Sequence, residues 1–271
     1  MKNIFSRFTI LVLLASCSLW INCGNDDNLV DSSQNVKNTD YVAERSFSFA
    51  VAVENRTQLR LEAISGNVAI SGISEFDSVL IRGERVVGSE STEDAEEHLQ
   101  ELQVIVEDLE NEVFVKTVQP EETYGRSYVV HYDITLPRDF RVLADNVNGT
   151  VRIDSINNRL SVNNVNGQVM LVKIHGSVSV NLVNGLIQSE VTLPSDGAID
   201  MSIVNGSIQL SIPQNTSAEF SATVTNGDIS VSNLVLQNQE STTNSLRGTL
   251  GAGQGTISLS TVNGNIRVTG F

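Results

Sequence analysis

Six Asn-Gly steps constrain this chain more than anything else in it: Asn148-Gly149, Asn166-Gly167, Asn184-Gly185, Asn205-Gly206, Asn226-Gly227 and Asn263-Gly264. The glycines lie 18, 18, 21, 21 and 37 residues apart. Short alternating runs follow the steps, among them Thr150-Val151-Arg152-Ile153, Gln168-Val169-Met170-Leu171, Ser207-Ile208-Gln209-Leu210, Asp228-Ile229-Ser230-Val231 and Asn265-Ile266-Arg267-Val268. Asn and Gly tolerate a left-handed backbone, and alternation with period two reads as strand. The unit is therefore a repeated turn and strand.

The first intervals divide again. Gly149, Asn158, Gly167, Gly176 and Gly185 are nine residues apart, with Asn158 in a glycine place and His175 where Asn would precede Gly176. A strand rises about 3.3 Å per residue, so nine residues make one strand and one corner. Two such units make an 18-residue coil. The later rungs lengthen through second corners at Pro194-Ser195-Asp196-Gly197 and Pro213-Gln214-Asn215-Thr216. The expected fold is all-β, a β-solenoid of six or seven C-terminal rungs of 18–21 residues. Val151, Ile153, Ile156, Leu160, Val162, Val165, Val169, Leu171, Ile174, Val178, Val180 and Val183 form its apolar positions. The asparagines would stack in one column and bond along the axis. Independent hairpins are the alternative, because Asn-Gly is also the strongest type I′ turn signal. The recurrence of equivalent turns at every second nine favours the solenoid.

The rest of the chain divides around this body. Residues 1–22 read as an export leader: Lys2 and Arg7, then the apolar run Phe8 to Leu14, too short to span a bilayer. Leu14-Ala15-Ser16-Cys17 matches the bacterial lipobox, with Cys17 as the lipid-attachment residue. Trp20-Ile21-Asn22-Cys23 is a looser match, with Cys23 as the alternative. Residues 24–40, rich in Asn, Asp and Ser, read as a disordered polar tether. Residues 41–140 carry weaker strand alternation, at Phe47, Phe49, Val51 and Val53 and again from Tyr128 to Leu136. A short acidic helical insertion interrupts them at 90–102, capped by Ser91 or Thr92. The regular repeats fill 141–271, broken by an irregular loop at 237–255 that includes the glycine-rich, flexible stretch Gly251-Ala252-Gly253-Gln254-Gly255.

Residues 132–137, Tyr132-Asp133-Ile134-Thr135-Leu136-Pro137, followed by Val-Asn-Gly repeats, resemble the bacterial putative-adhesin domain family of unknown function, with its DUF4097-like β-helical repeats. Val53-Glu54-Asn55-Arg56 and Ile64-Ser65-Gly66-Asn67-Val68 resemble its opening strands, so the resemblance covers about residues 47–271. It implies a right-handed parallel β-helix or β-roll that is exported or envelope-facing. It implies no catalytic residues.

Composition limits the chemistry. The formal charge is −15, and −17 without Lys2 and Arg7 (−15 − 2), which disfavours nucleic acid and anionic lipid surfaces as partners. Neither cysteine lies after residue 23, so the body has no disulfide and no thiolate metal site. A glycan-cleaving β-helix would need two carboxylates at a set separation. Asp145, Asp154, Glu190, Asp196, Asp200 and Asp228 are the candidates, and they read as solvated corner residues. The 12 acids and one base from Glu90 to Glu122 have no calcium-loop spacing. His98, His131 and His175 are scattered, and His175 reads as a substitute in the asparagine column. Tyr124, Tyr128 and Tyr132 form the one aromatic cluster that a sugar could stack on.

The expected function is an envelope-anchored, non-enzymatic scaffold or adhesin-like binding protein of the outer membrane. It would be held to the bacterial membrane by its N-terminal lipid, with a protein or glycan ligand on the solenoid face and no cofactor. A polysaccharide-acting enzyme and an accessory lipoprotein of an envelope complex are the alternatives. Mass spectrometry of the mature N-terminus is expected to find a diacylglyceryl cysteine at Cys17 or Cys23. An unmodified N-terminus would remove the anchor.

Overall fold

A computed structural model describes residues 39–271 of the chain, within one compact unit, Lys37–Phe271. The leader, Cys17, Cys23 and residues 24–38 of the tether lie outside the described residues.

Eighteen strands and one helix follow in order: β1 Tyr41–Ala52, β2 Gln58–Glu62, β3 Val68–Ile73, β4 Ser78–Ser89, α1 Thr92–Leu99, β5 Gln103–Asp108, β6 Glu112–Val118, β7 Ser127–Pro137, β8 Arg141–Asn148, β9 Val151–Asp154, β10 Leu160–His175, β11 Val178–Thr192, β12 Ala198–Ile212, β13 Ala218–Asn226, β14 Ile229–Ser232, β15 Leu236–Ser241, β16 Ser245–Leu250, β17 Gly255–Asn263 and β18 Ile266–Gly270. The fold is a solenoid. Its repeats pair in parallel, residue for residue at the repeat spacing, so Asn166 lies beside Asn148 and Asn184 beside Asn166. Independent hairpins would have paired them antiparallel.

The rungs stack as β2/β3, β8/β9, β10, β11, β12, β17/β18 and β13/β14. Chain order fails at the end of this series. The chain leaves β12, builds the last rung as β13/β14, turns back through β15 and β16, and inserts β17/β18 between β12 and β13/β14. The 37-residue interval between Gly227 and Gly264 records that detour, and its apparent loop is mostly strand. The glycine-rich stretch is tied as well: the amides of Ala252 and Gln254 donate to Ser217 Oγ at 3.0 and 3.2 Å.

Alternation puts one apolar set inside. Val151, Ile153, Ile156, Leu160, Val162, Val169, Leu171, Ile174, Val178 and Val180 are all buried. Burial of such a side chain contributes about 1.5–3 kcal/mol. Val165 and Val183 are not among them. They point outward because the alternation of Leu160 and Val162, and of Val178 and Val180, runs on to Asn164 and Leu182, which take the inward place before the corner.

At the first end β6 and β7 add parallel to β2 and β3, and β5, β4 and β1 close the stack with antiparallel pairs. Helix α1 lies within this cap. Ser91 is its N-cap and accepts from the Asp94 amide at 3.1 Å, and Ala95 and Leu99 are buried. Arg126 Nε and Nη2 donate to the Asp94 carboxylate at 2.6 and 2.7 Å, and the Ser89 hydroxyl donates as well. These bonds hold the Asp94 carboxyl well below the usual carboxylate range.

The corner after each Asn is closed by glycine for a steric reason. Gly167 has φ of 131°, and a Cβ there would fall inside the carbonyl oxygen of Gly149, its neighbour in the stack. That region is almost closed to any residue with a side chain. None of the six column asparagines has positive φ, so Asn is present for its amide and not for a left-handed backbone. At the opposite corner the positive-φ residues are Ser155 and Lys173, while Asn158 and Gly176 sit stacked beyond them with ordinary φ. Gly167→Ala is expected to destabilise the unit by about 3 kcal/mol or more. A melting temperature equal to the parent's would contradict the corner geometry.

Candidate functional site

The Asn-Gly corner repeats the same surface on successive rungs. Asn166 Nδ2 donates to Asn148 Oδ1 at 2.9 Å, Asn184 to Asn166 at 2.8 Å and Asn205 to Asn184 at 2.9 Å. Asn263 then donates to Asn205 at 2.8 Å and Asn226 to Asn263 at 2.8 Å, following the rearranged rung order. At the first end Asn148 reaches Ser65 Oγ at 3.4 Å. Every amide points its donor the same way, so each interior Oδ1 receives one bond. Aligned bonds of this kind polarise one another.

A second polar column runs beside the first. Asn163 Nδ2 donates to Asp145 Oδ1 at 2.7 Å, Asn181 to Asn163 at 2.9 Å, and Ser202 Oγ to Asn181 Oδ1 at 2.7 Å. Between the two columns lie Val147, Val165, Val183, Val204 and Val262, each 37–42 % exposed. At the strand spacing of about 4.8 Å, five valines make a ridge of roughly 19 Å along the axis. Beneath it, Asn146 and Asn164 turn inward and are buried. Asn146 Nδ2 donates to Asn164 Oδ1 at 3.2 Å, and Asn164 Nδ2 to the Gly149 carbonyl at 3.1 Å. The valine ridge was present in the sequence as a Val before five of the six Asn-Gly steps. The nine-residue spacing hides it, because it matches Val165 and Val183 to Ile156 and Ile174, which are buried at the other corner.

The six candidate carboxylates are not brought together. Asp145 ends the second polar column, and Asp154 pairs with Arg152 at 3.2 Å and accepts from Ser155 Oγ at 2.5 Å. Glu190, Asp196, Asp200 and Asp228 are exposed, and no two of the six share a hydrogen bond or a register position. Among the described residues no group of three or more His, Cys, Asp and Glu side chains could hold a metal ion. No helix among them is long and apolar enough to cross a membrane.

The histidines and two of the tyrosines make their contacts within the fold. His98 Nδ1 lies 2.8 Å from the Asp94 carbonyl, and His131 Nδ1 accepts from the Asn67 amide at 3.1 Å. His175 lies beside Thr192 at the far corner, outside the asparagine column. Tyr128 and Tyr132 are buried, which leaves Tyr124 as the exposed member of that cluster. Burial pushes the Tyr132 phenol up to about 12, partly offset by its bond with Thr117 Oγ1 at 2.6 Å.

The family model described as Toastrack DUF4097 matches residues 44–269. No curated protein matches the chain significantly. Among solved structures, the chain is similar to a putative cell adhesion protein from Clostridium sporogenes. The two are 13 % identical with a TM-score of 0.51, over 84 % of this chain and 100 % of that one. That likeness shows the fold. A putative adhesin from Bacteroides fragilis aligns at 12 % identity and a TM-score of 0.29, over 83 % of this chain and 97 % of its own, too loosely to add to it.

The ladder predicts a pH signature for Asn184→Asp. The carboxylate would keep the bond from Asn205, lose the one to Asn166 and face the Asn166 carbonyl oxygen. Repulsion raises the folded pKa above the unfolded value of about 3.9. The variant's stability therefore matches the parent best below that value and is lost as pH rises through the folded pKa. Urea unfolding is expected to show a deficit of about 1 kcal/mol at pH 7 that shrinks near pH 3.5. An equal deficit at both pH values would contradict the ladder.

Proposed function

The chain belongs to the Toastrack DUF4097 family, and on that premise we propose that it is an envelope-anchored, non-enzymatic binding scaffold whose docking surface is the valine-and-amide edge. The observation that carries this reading is the line of five half-exposed valines flanked by two polar columns. A solvent-facing apolar strip this regular contributes nothing to the core, and exposed apolar strips with polar rims mark interaction surfaces. The main-chain bonds already hold the rungs together, so the strip is free to meet an extended ligand along the axis.

An adhesive role fits this surface. The Clostridium sporogenes protein is described as a putative cell adhesion protein, and we extend that role here on the strength of the edge and not of the likeness. The rim amides offer donors and acceptors to a glycan or a polypeptide, while the acidic net charge of −15 disfavours polyanions. The lipid on Cys17, or on Cys23, would fix the scaffold to the outer membrane, with the polar tether at 24–40 holding it away from the bilayer.

The test is a glycan array, with immobilised extended peptides beside it, probed with residues 37–271 and with the triple variant Val147→Thr, Val165→Thr, Val183→Thr. Threonine keeps the β-branched shape, so the melting temperature should change little. Specific retention by the parent and loss of at least about tenfold in the variant, about 1.4 kcal/mol, are expected. Retention unchanged by the triple substitution, or no retention on either surface, would overturn the reading.

A further inference from the structure

The last rung is finished on one side only. β13 is covered by β16, and β16 by β15, in antiparallel pairs. β14 pairs with β18 and with no other strand among the described residues. The repeat shows which groups this leaves over. The Ile208 amide donates to the Asn265 carbonyl at 2.9 Å, and one rung on the Ile266 amide donates to the Asp228 carbonyl at 2.9 Å. Ile229 is the next residue in that series, beside Ile266, and its amide has no described acceptor. Alternation gives Val231 the same orientation. The corner repeats the pattern. The Gly149 amide donates to Asn166 O and the Gly264 amide to Asn226 O, both at 2.9 Å, whereas the Gly227 amide has no described acceptor. The ladder ends in the same way. Asn226 donates to Asn263, and no described residue donates to Asn226 Oδ1.

The side chains are left unfinished as well. Ile208, Leu210, Ile266 and Val268 are fully buried, but Ile229 and Val231, in the same columns, are only half-buried. They line a cleft of about 470 Å³ with Leu234, Leu236 and Leu246 and with polar residues of the β15/β16 hairpin, among them Gln239, Thr242 and Ser245. Asp228 and Ser230 are on its rim.

We propose that the free edge of β14 is a strand-addition site for an extended segment of another polypeptide, lying parallel to β14 and acting as one more rung. The leftover groups choose the ligand. Main-chain donors recurring at every second residue, above alternate apolar positions, fit a β-strand. Asn226 Oδ1 asks for a side-chain amide at the corner, and Gly227 calls for a glycine beside it, because each glycine in the column packs against the next glycine's backbone. Asp228 and Ser230 share the outer face with Arg267, and a basic residue opposite Ser230 would lie diagonal to the Asp228 carboxylate. The segment sought therefore reads Asn-Gly-x-apolar-basic-apolar, the pattern of residues 263–268. This site starts where the asparagine column beside the valine edge ends but uses none of the valines, so either can fail alone.

The probe is a synthetic peptide with the sequence of residues 261–269, added to residues 37–271, with amide hydrogen exchange followed by NMR. The expected result is saturable binding that slows exchange at Gly227, Ile229 and Val231 by at least about tenfold, as one new hydrogen bond at each would. Val231→Pro removes an outward donor and leaves the β14–β18 bonds, a placement that edge strands tolerate; it should melt as the parent does and bind the peptide at least about tenfold more weakly. Unchanged exchange at saturating peptide would overturn the proposal, as would undiminished binding by folded Val231→Pro. Slowing that appears on concentrating the protein without peptide would also overturn it, in favour of contact between copies. If Val231→Pro does not fold, the exchange measurement on the parent decides alone.

Discussion

Each rung is joined to the next at one corner by a side-chain amide bond and a glycine. The two requirements are separable. Glycine is needed because a Cβ at Gly167 would meet the carbonyl of Gly149. Asparagine is needed because its short amide both donates and accepts across a single strand spacing, as between Asn166 and Asn184 at 2.8 Å. A longer side chain would have to fold back, and a hydroxyl, which can also donate and accept, is too short to reach an identical neighbour across about 4.8 Å. With this corner fixed, register follows for both limbs of the rung. Register in turn decides which residues face the core. The buried Val, Ile and Leu columns then supply most of the stability by contact between neighbours.

Such a stack has two ends, and this chain treats them differently. At the first end the added strands β7, β4 and β1, the strand β5 and the helix α1 extend and cover both limbs. Arg126 and Asp94 tie the helix to that cap. At the second end the β15/β16 hairpin covers one limb, and the other stops at β14. An exposed strand edge invites pairing unless it is shortened or covered. β14 has only four residues, Ile229–Ser232, which limits accidental association while leaving room for one selected segment.

Much of the architecture was legible because the solenoid is written in its spacings. The 18-residue interval gave the coil, the alternation gave most of the core, and Ser91 with the acids after it marked the helix. What spacing does not carry is order in space. Nothing local to Asn226 or Asn263 says that Asn263 stacks on Asn205 first, since both rungs offer the same corner and the chain can reach either. The valines before the steps were misread for a related reason. Val165 and Val183 stand nine residues after the buried Ile156 and Ile174, but the inward place at their own corner is taken by Asn164 and Leu182, so they lie outside the core. The burial of Tyr128 and Tyr132 was equally invisible, because it depends on strands that meet only in the fold: β4 pairs beside β7, and Thr117 of β6 and Phe47 of β1 reach Tyr132.

The binding reading rests on surfaces that this construction creates as a by-product: a straight apolar strip, two polar columns and one unfinished limb. All of them depend on the order in which the rungs stack. That order is open to cross-linking, since both native cysteines precede the compact unit. Ser202 lies beside Ser260, and Ser260 beside Thr223. Ser202 and Thr223 are therefore two strands apart, about 9.6 Å, beyond the reach of a disulfide. In residues 37–271 under mild oxidation, Ser202→Cys with Ser260→Cys should cross-link and Ser202→Cys with Thr223→Cys should not. Cross-linking of the second pair in place of the first would show rungs stacked in chain order and would contradict the account.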